Sequence, residues 1–106
     1  MVYTIDELRG RIVPITMKYR IPAVYLFGSY ARNEATDKSD VDILIDRRGS
    51  SIRGMFDMGA LYEELRKSVG KEIDLVTMQT LQQKSTLERT PWFAGNLRKD
   101  MVPLYE

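Results

Sequence analysis

The spacing of apolar residues changes along this chain, and each change marks an element. Ile5, Leu8, Ile12, Ile15 and Tyr19 recur at intervals of three and four, the signature of one helix face. Thr4 and Glu7 precede that run as a capping box, with Thr4 as N-cap and Glu7 at the third helical position. Pro14 removes a backbone donor in mid-pattern, so a kink or an early helix end is expected there. After a link from Arg20 to Pro22, Val24-Tyr25-Leu26-Phe27 is apolar throughout and suits a strand covered on both faces. From Asp40 the period becomes two. Asp40, Asp42, Leu44 and Asp46 share one face, while Val41, Ile43 and Ile45 share the other.

A second helical stripe follows from about Met55, formed by Met58, Leu61, Tyr62, Leu65 and Val69, with Gly70 as its C-cap. Lys71 to Thr77 reads as a third strand, in which Asp74 is flanked by apolar neighbours. Leu81 to Arg89 is expected to form a short helix ahead of Pro91. Met101 to Tyr105 suits an edge strand, because Pro103 cannot donate within a central one. Trp92, Phe93 and Tyr105 are read as core aromatics in preference to interface ones. Arg47 to Arg53, with Gly49, Ser50 and Ser51, reads as a mobile connection.

The intervals between these elements carry the candidate chemistry. Gly28 stops the first strand and Ser29 is placed to cap a short helix over Tyr30 to Arg32. Backbone donors after Ser29 would then face an anion above the strand end. Asn33 suits the left-handed conformation that ends a helix, and Glu34 to Ser39 is a loop. Asp40 and Asp42 point the same way, their Cα atoms roughly 7 Å apart by the strand rise. Such acidic pairs are usually solvated surface. Here the pair opens a β-prone run, a Gly-Ser turn precedes it, and Asp74 supplies a third acid inside an apolar strand, where an unpaired charge is costly. Three converging carboxylates repel one another, and magnesium would relieve them.

Composition narrows the chemistry further. The chain has 106 residues, 43% of them hydrophobic and 29% charged, which describes one globular domain. It contains no cysteine and no histidine. Thiolate nucleophiles, imidazole-ligated zinc and Ser-His-Asp hydrolysis are therefore excluded within it. Any metal has to be hard and held by oxygens. A net charge of +1 gives no general attraction to nucleic acid, so direct nucleic-acid binding is not expected. No apolar run reaches membrane-spanning length and no signal peptide is visible, so a cytoplasmic location is expected.

Gly28-Ser29, the Tyr30-Ala31-Arg32 that follows, and Ser39-Asp40-Val41-Asp42 resemble the signature of the minimal nucleotidyltransferases. These belong to the DNA-polymerase-beta-like superfamily, with kanamycin nucleotidyltransferase and poly(A) polymerase. The resemblance covers most of the chain and departs from the usual pattern at Asn33, where the family commonly has Gly. It implies an α+β domain, with a small mixed sheet and helices packed mainly on one face. It implies too that Gly28 and Ser29 contact a triphosphate, and that Asp40, Asp42 and Asp74 bind two magnesium ions, Asp74 also serving to activate a hydroxyl. Arg32 either reaches the phosphates or pairs with an acid of the site. Glu72 and Asp46 share faces with the candidate ligands and are runners-up. Lys38, Arg47 and Lys71 are read as solvated surface charges.

Minimal members of that family resemble antitoxins encoded beside a HEPN-type ribonuclease toxin. The resemblance thus implies a magnesium-dependent enzyme that transfers AMP from ATP to a hydroxyl of a toxin partner. The alternative is a binding module that neutralises its partner by contact alone. No separate substrate domain is expected in so short a chain, and homo- or hetero-oligomerisation is left open.

Overall fold

In the computed structural model, residues 2–78 and 101–105 are described. The first helix, α1 (Ile5–Lys18), opens with the expected capping box: Glu7 N–H donates to the Thr4 hydroxyl, and Thr4 N–H donates to the Glu7 carboxylate. It runs on through Pro14 for another turn and does not end early. Its C-terminus closes by two reversed bonds, Arg20 N–H to Met17 O and Ile21 N–H to Thr16 O, with Arg20 at φ 59°. That is a Schellman arrangement with arginine where glycine is usual.

The next elements are β1 (Ala23–Phe27), the single turn α2 (Gly28–Ala31), β2 (Val41–Asp46), α3 (Met55–Val69), β3 (Ile73–Thr77) and β4 (Val102–Tyr105). The strands form one mixed sheet in the order β3-β2-β1-β4. β1 is antiparallel to both its neighbours, whereas β2 and β3 run parallel and are joined by α3, as a parallel pair requires. Asp40 precedes β2 and Lys71-Glu72 precede β3, so both strands begin slightly later than the alternation suggested.

Helices cover one face of this sheet. Leu8 and Ile12 of α1 and Leu61, Leu65 and Val69 of α3 pack with Val24, Leu26, Val41, Ile43, Ile45 and Ile73 into one core cluster. The partly buried Ile5, Ile15, Tyr19, Met58 and Tyr62 pack against it, so both helical stripes face inward as their spacing predicted. The opposite face carries Tyr25 opposite Leu44 and Phe27 opposite Asp42. Gly70 caps α3 in the left-handed conformation at φ 73°.

β4 lies at an edge of the sheet, where Pro103 is tolerated. Arg9 donates from Nε to the Leu104 carbonyl at 3.1 Å, tying α1 to that edge. Tyr105 packs against the core, and its hydroxyl donates to the Ile21 carbonyl at 2.6 Å. The expected helix from Leu81 to Arg89, together with Trp92 and Phe93, lies outside the described residues. No helix among the described residues is long and apolar enough to cross a membrane.

Arg20 holds a left-handed backbone that L-residues adopt at a cost of about 1 kcal/mol. Arg20→Gly is therefore expected to raise stability by about 0.5–1 kcal/mol in urea unfolding, with an unchanged slope.

Candidate active site

Three strand ends meet at one edge of the sheet. β1 finishes there at Phe27, β2 starts there after Asp40, and β3 starts there after Glu72. The parallel register sets Asp42 directly beside Asp74, and the antiparallel register sets Asp42 opposite Phe27, next to Gly28. Asp42 and Asp74 lie in strand positions opposite the helix-covered face, because Val41, Ile43 and Ile73 occupy the core between them.

The chain reverses sharply into α2 at Gly28, with φ 70°. A Cβ built there would stand 2.1 Å from Oδ2 of Asp42. Glycine is thus required twice, by its backbone angle and by the carboxylate against it. Ser29 does not cap α2 as expected. Gly28 is already the first helical residue, Phe27 is in the N-cap position, and no side chain caps the turn. Ser29 lies within that turn, half-buried above the strand end. Asn33 takes the left-handed conformation at φ 59°, as its position suggested. Tyr30 turns into the core, where its hydroxyl is buried without a hydrogen-bond partner among the described residues.

Burial pushes the Asp42 carboxyl up to about 6; the neighbouring charges of Asp74 and Asp40 add to the effect, and the Arg32 guanidinium opposes it. All four charges therefore act on one locus. Asp74, however, is exposed, not buried among its apolar neighbours. It sits on β3, an edge strand of the described sheet, on the face without the helices. Among the described residues, no three acidic side chains are gathered closely enough to hold one metal ion.

The other candidates separate from this group. Arg32 donates from Nε to Glu34 at 3.2 Å, an ion pair with a loop acid, while its charge still reaches Asp42. Glu72 receives the Arg66 guanidinium at 2.9 Å. Asp46 is buried at the far end of β2 and accepts from the backbone and guanidinium of Arg48. Lys38 and Arg47 are exposed, as expected. Lys71 is more than a solvated charge: its ammonium donates to the Asp37 carbonyl at 3.0 Å and ties the loop before Asp40 to the start of β3. No local pattern announced that contact, because it joins segments 34 residues apart.

Two outcomes follow from this packing. Gly28→Ala should destabilise the protein by about 2 kcal/mol or more and displace the Asp42 carboxylate. Asp42→Asn should do the opposite in metal-free buffer. The raised acid costs stability as pH rises from the ordinary carboxylate range, where the unfolded chain ionises first, and the cost is complete above about pH 6. The variant should gain about 1–2 kcal/mol at pH 8, after allowance for solvent screening, and nothing near pH 4; thermal melting across that range checks both.

Comparison with known proteins bears on the family. Residues 11–90 match the family model described as polymerase beta, nucleotidyltransferase. MJ0128 of Methanocaldococcus jannaschii, named for protein adenylyltransferase activity, is 49% identical over 92% of this chain and 90% of its own length. MJ0435 of the same organism, named likewise, is 38% identical over 73% of this chain and 81% of itself. The protein adenylyltransferase MntA of Thermococcus cleftensis is 36% identical, covering 69% of this chain and 70% of its own. Among solved structures, one described as a toxin-antitoxin with AMP-PNP shares the fold at a TM-score of 0.57 and 22% identity. It covers 67% of this chain, which in turn spans 57% of that one. The strand-end acids, the glycine turn against them and the matched family model identify this chain as a member of the polymerase beta nucleotidyltransferase family.

Proposed function

We propose that this nucleotidyltransferase moves AMP from ATP to a hydroxyl of a protein partner, in the cytoplasm and with magnesium. The observation that carries the reading is the Asp42–Asp74 pair, side by side in register at the edge where Gly28 turns the chain. An all-oxygen donor set in a chain without histidine or cysteine fits a hard divalent cation. The raised Asp42 carboxyl fits it too, since a cation would relieve the repulsion from Asp74 and Asp40.

Asp40, Asp42 and Asp74 are assigned as the residues that would hold magnesium, two ions in all. When bound, magnesium would neutralise charge on the triphosphate and on the departing pyrophosphate. Gly28 leaves the backbone open to the phosphates, Ser29 offers them a hydroxyl, and Arg32 lends positive charge beside them. The acceptor oxygen forms a bond to the α-phosphorus, and the bond from that phosphorus to its bridging oxygen breaks. Pyrophosphate leaves with the electron pair, and the hydroxyl proton passes to Asp74 or to solvent.

The partner we infer is a HEPN-type ribonuclease toxin. Support comes from relatives named protein adenylyltransferase and from a structure of this fold described as a toxin-antitoxin with AMP-PNP. A second reading, neutralisation by contact without catalysis, draws on the acids as they stand, since no three of the described ones surround a single point.

Transfer of label from α-labelled ATP to the co-purified partner, in the presence of magnesium, separates the two. Label should appear with the wild type, vanish with Asp42→Asn and require more magnesium at low pH, where a proton competes with the cation for Asp42. Inhibition of the partner without label would establish the contact reading. Magnesium-ATP at about a hundred times its Kd should stabilise the wild type by about 2.7 kcal/mol, and Asp40→Asn should lose most of that shift.

A further inference from the structure

A basic cavity opens beside the acid pair and has no part in the chemistry above. It measures about 400 Å3 and is lined by Arg66, Lys67, Gly70, Lys71 and Glu72, where α3 ends and β3 begins. Among the described residues of the lining, three cations stand against one carboxylate. Arg66 and Lys67 are exposed on the last turn of α3, and Glu72 is exposed between that turn and the strand.

Its position relates it to the reaction. Val41 N–H donates to the Glu72 carbonyl at 3.0 Å, which joins the cavity rim to the first residue of β2. Asp74 follows Glu72 by two residues, about 6.6 Å further along an extended chain. The sheet order places β2 between β3, whose leading residues line the cavity, and β1, which ends at the Gly28 turn. A ligand in the cavity would therefore sit at the strand-start edge that also carries the acid pair.

We propose that this cavity docks an acidic segment of the acceptor polypeptide and so presents its hydroxyl to the Asp42–Asp74 edge. The inference rests on the nucleotidyl-transfer reading and names the class of substrate that the reading requires. Charge complementarity selects an acidic ligand. The mixed signs favour a polypeptide over RNA: Glu72 is held among the cations by Arg66 at 2.9 Å and would repel a phosphate backbone. Among the described residues, the lining also offers no aromatic ring on which a base could stack. Lys71 has a structural duty as well, since it anchors the Asp37 carbonyl, so Arg66 and Lys67 are the residues to vary.

Binding of fluorescein-labelled peptides, followed by anisotropy in metal-free buffer, tests the assignment without any need for catalysis. One peptide carries a tyrosine among aspartates and glutamates, a second replaces the acids with serine and glutamine, and a third probe is oligouridine of equal length. The wild type should bind the acidic peptide about tenfold more tightly than the neutral one. Arg66→Glu combined with Lys67→Glu should erase that preference; loss of the exposed Arg66–Glu72 pair should lower its melting temperature slightly, while its stabilisation by magnesium-ATP stays that of the wild type. Equal affinity for both peptides, a preference that survives charge reversal, or tighter binding of oligouridine would overturn the proposal. A retained peptide preference in protein that magnesium-ATP fails to stabilise would support the docking site and remove the nucleotide reading, so the two fail separately.

Discussion

The site depends on holding like charges next to one another against their repulsion. Parallel pairing of β2 and β3 fixes Asp42 beside Asp74, and neither strand can slip by one residue without turning its apolar positions outward. Val41, Ile43 and Ile73 are fully or almost fully buried under α1 and α3, and that burial outweighs the strain at the carboxylates. A residue of apolar packing such as Leu65 thus supports the acid pair without approaching it. The free energy of the core is partly stored as an unrelieved electrostatic field at the strand ends.

Gly28 is the counterpart of that field at the end of β1. The turn must come close enough to Asp42 that no side chain fits between them, and it must leave β1 through a left-handed angle. Both demands fall on one residue. Polar loops connect these pieces, yet the loop before Asp40 is anchored through Lys71, so the first acid approaches the site from a restrained segment.

Much of this was legible from residue order, because periodicity reports burial directly. The faces of α1, α3 and β2 followed from spacings of three, four and two, and the Thr4–Glu7 box and Gly70 marked helix ends through local hydrogen-bonding rules. What escaped depended on tertiary placement. Asp74 looked buried because its sequence neighbours are apolar, but its strand lies at an edge of the described sheet and its face is the one without helices. Ser29 resembled a cap, yet the helical turn begins one residue earlier. The pairing of Arg32 with Glu34 and of Glu72 with Arg66 also depends on side-chain reach, to which spacing alone is blind.

The seam between β1 and β4 bears on how such a chain is made. Tyr105 pairs with Val24, so the closing strand comes from about eighty residues downstream of the strand it completes. During synthesis, β1 and β2 can form their hairpin and α3 can return the chain to β3 well before that segment leaves the ribosome. Until then one flank of β1 stays open as an unpaired edge, a template for pairing with another nascent chain. Arg9, which grips the Leu104 carbonyl, lacks that contact during the interval. The acid pair can be assembled while the sheet is still incomplete, and the last strand acts as a seal on a site already built.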